Sequence, residues 1–176
     1  MIGPRAKILL KNPAHKLVFS SNSGAIFSTD KKERFVLWRK WEGSKPLILF
    51  IGLNPSVAND TKTDPTTKRI ISHSKRWGFG GCFLMNCFAL VTTDPKKLTP
   101  SGDWQQNLKW LDTIAPLCTE VVFAWGQHVL VKTLGRDNYF QKRFPNAKCM
   151  GTNLDGSPKH PLYLPYSSKL LHYHKA

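Results

Sequence analysis

Acidic side chains are scarce in this sequence, and their scarcity bears on the kind of partner the protein binds. The 176 residues include 11 Asp and Glu against 26 Lys and Arg, which gives a formal net charge of +15. The excess is spread along the chain, because the first 45 residues hold ten basic and three acidic side chains and the last 46 hold eight and two. Such a surface favours a polyanionic partner, most simply nucleic acid. Net charge alone also fits a soluble basic protein without such a partner.

Long apolar runs are missing too. No stretch is long enough to span a membrane, and the N-terminus lacks the pattern of a secretory signal. The cysteines are few and widely spaced, and they match no zinc or iron–sulfur pattern. They are Cys82, Cys87, Cys118 and Cys149. We therefore expect buried free thiols in a cytoplasmic protein that has no membrane partner.

Several catalytic motifs are also absent. The glycines form neither a dinucleotide fingerprint nor a P-loop, and no Gly-x-Ser-x-Gly sequence occurs. No group of His, Cys and acidic residues has the spacing of metal ligands, so we expect neither a metal nor a cofactor. No pair of carboxylates follows the apolar strands, which disfavours glycoside hydrolysis by two carboxylates.

Four apolar segments separated by helical patterns define the predicted core. Uninterrupted apolar residues are typical of strands buried on both faces. The segments cover residues 47–51, 82–88, 120–126 and 147–150. The first helix is marked by Asp64 as its N-cap and Pro65 in its first turn, and further helical patterns fall at 104–115 and 129–144. This alternation predicts a three-layer α/β/α sandwich with a central parallel four-stranded sheet.

The N-terminal region is predicted to be a basic extension that carries a β-hairpin. Leu17-Val18-Phe19 and Ala25-Ile26-Phe27 flank a Ser-Asn-Ser-Gly turn sequence. The segment from Arg34 to Trp41 fits a third antiparallel strand or a short helix. We expect a single domain. Its parts are the extension (1–45), the α/β core (46–165) and a basic tail (166–176).

Polar residues stand at the ends of the predicted strands. Asn54 follows the first strand, Asn86 lies near the end of the second, and Gly126-Gln127-His128 follows the third. A late loop contributes Ser157-Pro158-Lys159-His160-Pro161. The carboxyl ends of parallel strands form the edge at which ligands bind. Each amide also has a structural interpretation, Asn54 as a turn residue and Asn86 as a buried group bonded to its neighbours.

The order of these motifs resembles the uracil-DNA glycosylase superfamily. In that superfamily a Gly-x-Asp/Asn-Pro motif follows the first core strand, and a late His-Pro loop forms the second catalytic motif. The matching segments are Gly52-Leu53-Asn54-Pro55, Leu84-Met85-Asn86, Phe123-Ala124-Trp125-Gly126 and His160-Pro161. The stretch from about Phe35 to Pro165 also resembles a bacterial and phage family catalogued only as a domain of unknown function. Its features include Gly-Leu-Asn-Pro-Ser, Arg-Trp-Gly and Asp-Gly-Ser-Pro-x-His-Pro-Leu-Tyr-Leu-Pro.

The resemblance implies an enzyme that flips a base out of DNA and cleaves its N-glycosidic bond. Asn54 would orient the attacking water through its amide oxygen, and His160 would donate a hydrogen bond to the departing base. Asn86 would read the edge of the base. The predicted substrate-binding residues are Gly52, Leu53, Pro55, Ser56, Asn86, Phe88, Trp125 and Gly126.

Two departures from the superfamily affect specificity and DNA contacts. Ser56 stands where the uracil-specific enzymes have a Tyr that crowds the pyrimidine C5 position, so we expect a 5-substituted or mismatched pyrimidine as substrate. The His-Pro motif continues with Leu162 and Tyr163 where several families have Ser, so either side chain is a candidate wedge in the base stack. The predicted DNA contacts are Arg69, Arg76, Lys159, Leu162 and Tyr163.

Three functions therefore fit the sequence. The first is a monofunctional DNA glycosylase in DNA repair or phage defence, which acts as a monomer on a flipped base in duplex DNA or on a single strand. The second is a non-catalytic nucleic-acid binder that senses altered bases. The third is a hydrolase of free modified nucleotides.

Overall fold

A computed structural model describes residues 21–59 and 61–174, which form one mixed sheet flanked by helices. The strands are β1 (Ser23–Phe27), β2 (Arg34–Lys40), β3 (Leu47–Gly52), β4 (Gly81–Asn86), β5 (Glu120–Phe123), β6 (Lys148–Cys149) and β7 (Leu171–His172). The helices are α1 (Pro65–Arg76), α2 (Trp104–Ile114), α3 (Val129–Thr133) and α4 (Arg136–Arg143). Short 3₁₀ helices cover Pro95–Lys97, Ala115–Leu117 and Pro161–Tyr163. The predicted α/β class is confirmed.

The strand β3 lies in the middle of the sheet. The strand order is β1-β2-β4-β3-β5-β6-β7, with β3 parallel to both β4 and β5, and β6 parallel to β5. The remaining strands pair antiparallel at the two edges. The four strands predicted to be parallel correspond to β3, β4, β5 and β6, which do pair in parallel, but they belong to a mixed sheet of seven strands rather than to a sheet of four. The sequence left β2 open between strand and helix, and the two residues of β7 are too few for a periodic pattern.

The side chains of β3 alternate between two apolar cores. Leu49 and Ile51 pack in a cluster that includes apolar residues of α2, α3 and α4. Ile48 and Phe50 pack in a second cluster, which includes Ile70 of α1. Helices thus cover both faces of the sheet, which explains why the strand is apolar throughout. Because the side chains of β3 pack in these cores, the first polar side chains of this segment come after the strand ends.

The helix α1 begins where the sequence predicted. The carboxylate of Asp64 accepts a hydrogen bond from the Thr67 N–H at 2.7 Å, and Pro65 occupies the first helical position. A Pro at this position has no N–H to leave unsatisfied. The helix ends at Trp77, and Gly78 follows with a φ of +84°. The cap fixes the last residue of the loop that follows β3.

Near the N-terminus the described residues form an antiparallel pair of strands, in which β2 covers most of the segment predicted to be a strand or a short helix. β1 pairs antiparallel with β2, with Gly24 opposite Trp38. The segment Leu17-Val18-Phe19 lies outside the described residues, so the predicted pairing with it stays a prediction. Within residues 21–59 and 61–174, no helix has the length and apolar character needed to cross a bilayer.

Candidate functional site

A cavity of about 450 Å³ opens at the carboxyl ends of β3, β4 and β5. Gly52 and Asn86 line it from the ends of β3 and β4, and Ala124 lines it just after β5. The loop after β3 and the loop that carries His160 complete the walls. Ligand pockets have volumes of roughly 300–1,000 Å³ and in open α/β sheets lie at this edge. The cavity therefore has the size and the position of a binding site.

The side chain of Asn54 is held by its amide nitrogen. Nδ2 donates to the carbonyl of Pro55 at 2.9 Å and to the carbonyl of Thr92 at 2.8 Å. Both N–H groups are therefore used by main-chain acceptors, which fixes the orientation of the amide. Asn54 lines the cavity, and no donor among the described residues bonds Oδ1. Asn54 therefore presents a hydrogen-bond acceptor, its Oδ1, to the cavity.

His160 presents the opposite polarity to the same cavity. It is the N-cap of the 3₁₀ helix Pro161–Tyr163, and its Nδ1 accepts from the Leu162 N–H at 3.3 Å. An accepting Nδ1 places the proton of the neutral ring on Nε2. Burial lowers the pKa of His160, while the charge of Asp64 acts in the opposite direction. The neutral ring is thus favoured, and its Nε2–H is a donor that no described residue engages.

Two glycines allow the main chain to pass close to His160 and Asn86. Gly126 has a φ of +73°, and a β-carbon there would lie 3.3 Å from Cβ of His160. Gly52 lies opposite Asn86 in the parallel pair, and a β-carbon there would lie 2.8 Å from Oδ1 of Asn86. A side chain at Gly126 would be strained, and one at Gly52 would displace Asn86. Both predicted motif glycines therefore make room for polar side chains of the cavity.

Asn86 is buried with an unused donor. The side chain is only 3% exposed and lines the cavity, and its Nδ2 has no hydrogen-bond partner among the described residues. Its main-chain carbonyl accepts from Nδ2 of Asn107 at 2.9 Å. A buried unpaired amide costs about 1–3 kcal/mol. A ligand that accepts a hydrogen bond from Asn86 would recover this free energy.

The other predicted substrate-binding residues divide into two groups. Leu53, Ser56, Trp125 and Gly126 line the cavity. Trp125 is 2% exposed, and the centre of its ring lies 4.7 Å from that of the Phe123 ring in the apolar core. Pro55 is buried outside the lining and contributes its carbonyl to Asn54.

Phe88 is not brought to the cavity. It is 1% exposed in the apolar core, and the Arg136 guanidinium lies 4.1 Å from the centre of its ring. The second strand was predicted to extend to Phe88, and this residue was placed among those that bind substrate. β4 ends at Asn86, however, so the alternation of a strand does not extend to Phe88. Its predicted place among the substrate-binding residues disagrees with this position in the core.

The predicted DNA contacts lie in two places. Leu162 and Tyr163 line the cavity, Tyr163 is 83% exposed, and Lys159 is exposed next to His160. Arg69 and Arg76 lie outside the cavity lining and contact Tyr166. The Arg69 guanidinium stacks 3.8 Å from the centre of its ring, and the Arg76 guanidinium donates to its carbonyl. Contact of these residues with DNA stays a prediction.

Arg34, Thr92, Asp64 and His128 are among the cavity residues that were given no functional role from the sequence. Arg34 and Thr92 did not stand out, and Asp64 and His128 were interpreted mainly as structural. All four line the cavity. Asp64 and His128 both cap helices, which is the structural role that their positions before a helix predicted. Arg34 and Thr92 carry no local signal, because their contacts are to segments 24 and 38 residues away.

The cysteines take no part in the cavity. Cys82, Cys87 and Cys149 are buried, Cys118 is half-buried, and all four are free thiols. None of them lines the cavity. Burial raises the pKa of Cys82 to about 12 and that of Cys87 further still, so these thiols are poor nucleophiles at neutral pH.

Comparison with known protein families identifies one that matches this chain. Residues 34–162 match the family described as "Protein of unknown function (DUF1643)", which is most of the chain. The chain belongs to the DUF1643 family. The predicted resemblance to a family of unknown function is thereby confirmed, and the match begins at Arg34 and ends at Leu162, both of which line the cavity. No curated protein and no solved structure matches this DUF1643 chain. Its relation to the uracil-DNA glycosylase superfamily stays a prediction.

Proposed function

We propose that this DUF1643 protein is a monofunctional DNA glycosylase with a uracil-DNA-glycosylase-like core. The observation that carries the proposal is the pair formed by Asn54 and His160. Each side chain is held by one end through main-chain bonds, and each leaves a polar atom free at the same cavity. One free atom is an acceptor and the other a donor, which is the combination that hydrolysis of an N-glycosidic bond requires.

The reaction would use these two atoms at opposite ends of the breaking bond. The bond between the sugar C1′ and the base nitrogen breaks, its electron pair leaves with the base, and a water oxygen bonds C1′. The amide oxygen of Asn54 accepts a hydrogen bond from this water and positions it. Nε2–H of His160 donates to the base as its negative charge grows. One preorganised donor of this kind is worth roughly 10²–10³ in rate. The proton released by the water passes to solvent, and an abasic site remains.

The substrate proposed is a 5-substituted pyrimidine flipped out of the helix. Asn86 supplies an unpaired donor for an acceptor on the base edge. Ser56 is a small side chain at the cavity wall and leaves space beside C5. Exposed cations border the site, since Lys159 precedes His160 and both Lys96 and Lys97 follow the cavity residue Pro95. These cations suit phosphate contacts, which position a duplex without reading its sequence.

The test is a panel of duplex and single-stranded oligonucleotides, each with one modified pyrimidine. The strands are treated with protein and then alkali, and strand breaks are counted. Breaks at one modified base that vanish in Asn54→Ala, with DNA affinity unchanged, would support the proposal. Asn153→Ala is the matched control, because its amide donates to Ser157 in a turn outside the cavity lining.

Two outcomes would overturn the proposal. Tight binding to altered DNA with no abasic site on any substrate would indicate a non-catalytic sensor. Release of bases from free nucleotides but not from DNA would indicate a nucleotide hydrolase in the same cavity.

A further inference from the structure

Arg34 is a buried cation at the wall of the cavity. It stands at the start of β2, is 1% exposed and lines the cavity. Nη1 donates to the Ala58 carbonyl at 2.5 Å, and Nε has no acceptor among the described residues. No carboxylate of residues 21–59 and 61–174 forms an ion pair with it. A buried charge with unused donors is unfavourable unless a partner accepts from it.

Asp64 faces the same cavity from the start of α1. Its side chain is buried, with 7% of the residue exposed, and its cap to Thr67 uses Oδ1. Burial lowers the pKa of Arg34 to about 10, while the charge of Asp64 acts in the opposite direction. The two groups therefore interact electrostatically without forming an ion pair. A guanidinium with a free donor and a carboxylate thus line the same cavity.

Hydrogen bonds tie the described residues between Ser56 and Asp64 to one another and to β2. Ala58 is held by Arg34, and Oδ1 of Asn59 accepts from the Lys62 N–H at 2.7 Å. The guanidinium of Arg39, on β2, also donates to carbonyls of this loop. Ser56 has a small side chain that leaves space at the cavity wall. The segment that runs from Ser56 to Asp64 includes Ala58, whose carbonyl accepts the hydrogen bond from Arg34.

We propose that Arg34 and Asp64 form a subsite that binds a hydroxyl group on the 5-substituent of the pyrimidine. The hydroxyl oxygen accepts from the guanidinium, and its O–H donates to the carboxylate. An anionic substituent would be repelled by the carboxylate of Asp64, and a cationic substituent would be repelled by the guanidinium of Arg34. A methyl group would form no hydrogen bond with either side chain. The subsite rests on the proposed function for its reaction, but binding of a nucleoside tests it separately.

The experiment compares duplexes that differ by one oxygen, 5-hydroxymethylpyrimidine against 5-methylpyrimidine. We expect the full chain to release the hydroxymethylated base about tenfold faster or more, the effect of one charge-assisted hydrogen bond. Arg34→Met and Asp64→Asn should each bring the ratio of rates close to one. Asn is also a good N-cap, so Asp64→Asn removes the charge and retains α1. Arg39→Met is the control, because it loosens the same loop without removing a cavity group, and it should leave the ratio unchanged.

Failure of the subsite and failure of the proposed function give different results. If no duplex loses a base, the glycosylase proposal is wrong, and equilibrium dialysis of 5-hydroxymethylcytidine and 5-methylcytidine then tests the subsite. Tighter binding of the hydroxymethyl nucleoside by about tenfold, lost in Asp64→Asn, would support it. Equal binding of the two nucleosides, or a preference that Arg34→Met and Asp64→Asn both retain while folded by circular dichroism, would overturn it.

Discussion

Two histidines occupy matching positions at the cavity and differ in one bond. His128 and His160 each cap a short helix, and in each the Nδ1 accepts from the N–H two residues later at 3.3 Å. Nε2 of His128 bonds the Pro95 carbonyl at 3.2 Å, whereas Nε2 of His160 has no partner among the described residues. The fold thus uses both nitrogens of one ring and leaves one nitrogen of the other available to a ligand.

The same contrast recurs in two further pairs. Nδ2 of Asn107 donates to a main-chain carbonyl, whereas Nδ2 of Asn86 is unpaired at the cavity. Arg39 donates to carbonyls of the loop after β3, whereas Arg34 keeps a free donor on its buried guanidinium. In each pair a residue of the same type holds the fold together, and its counterpart at the cavity keeps an unused polar atom. The contrast is confined to these three pairs, because Oδ1 of Asn107 and both ring nitrogens of His73 also lack partners among the described residues and lie outside the cavity lining.

The largest expected effect separates the two histidines. His160→Asn should lower the rate of base release by roughly 10²–10³, because Asn keeps the cap on Leu162 but removes the ring Nε2–H. His128→Asn should change that rate by less than about threefold, since its Nε2 is already bonded within the fold. Alkali-treated oligonucleotides measure both rates. If both variants lost the same fraction of the rate of base release, the two histidines would not differ in function.

The next effect concerns the open side of the cavity at Ser56. Ser56→Tyr should lower the release of 5-substituted pyrimidines relative to the unsubstituted base by about tenfold or more, because the ring fills space beside C5. Val57→Tyr is the control, since Val57 is 45% exposed and outside the lining. Competition between the two substrates in one reaction measures the ratio. An unchanged ratio in Ser56→Tyr would place C5 elsewhere.

A smaller effect distinguishes the two buried amides. Asn86→Ala should lower kcat/KM by about tenfold, with little change in Tm because its side-chain nitrogen has no bond to lose. Asn107→Ala should lower the free energy of unfolding by about 1 kcal/mol, because it breaks the bond to the Asn86 carbonyl. Thermal unfolding and kinetics are measured on both variants. A loss of stability in Asn86→Ala as large as that in Asn107→Ala would make Asn86 a structural residue.

The smallest effect is the dependence of activity on pH. Burial holds the pKa of His160 below its ordinary value of 6.5, so at pH 6.5 more than half of the rings are neutral and the loss of rate is less than about twofold. The rate should fall as pH drops through the lowered pKa, because protonation of Nδ1 removes the acceptor for the Leu162 N–H that holds the ring in place. Between the lowered pKa of the folded state and the ordinary pKa of the unfolded state, the unfolded chain binds more protons. The free energy of unfolding therefore also decreases as the pH decreases through this range. This acid limb should be missing in His160→Asn and present in His128→Asn. A rate that rises as pH falls would exclude a neutral donor.

The elements that the sequence predicted well are those that local chemistry determines. β3 is an unbroken apolar run because both faces are covered, and α1 begins at the Asp64-Pro65 pair because that pair caps a helix. The edges of the sheet were harder. β2 pairs with residues more than 40 positions later, and β7 is two residues long, so neither leaves a local pattern.

The candidate site was predictable where a strand end delivers a side chain. Asn54, Asn86 and His160 all line the cavity, as the motif order led us to expect. Arg34 was missed because its burial depends on a loop carbonyl 24 residues later. Phe88 was misplaced because the strand ends two residues before it.

The two carbonyls that hold Asn54 also decide which side chain can work there. The oxygens of Pro55 and Thr92 lie 2.9 and 2.8 Å from its amide nitrogen. An aspartate in the same pose would set a carboxylate oxygen against two carbonyl oxygens, which repel it unless the acid keeps its proton. A substitution made to install a stronger base would therefore yield a neutral acid or a displaced side chain. The loop selects an amide over a charge, so in the proposed reaction the water is activated by the departure of the base rather than by removal of its proton.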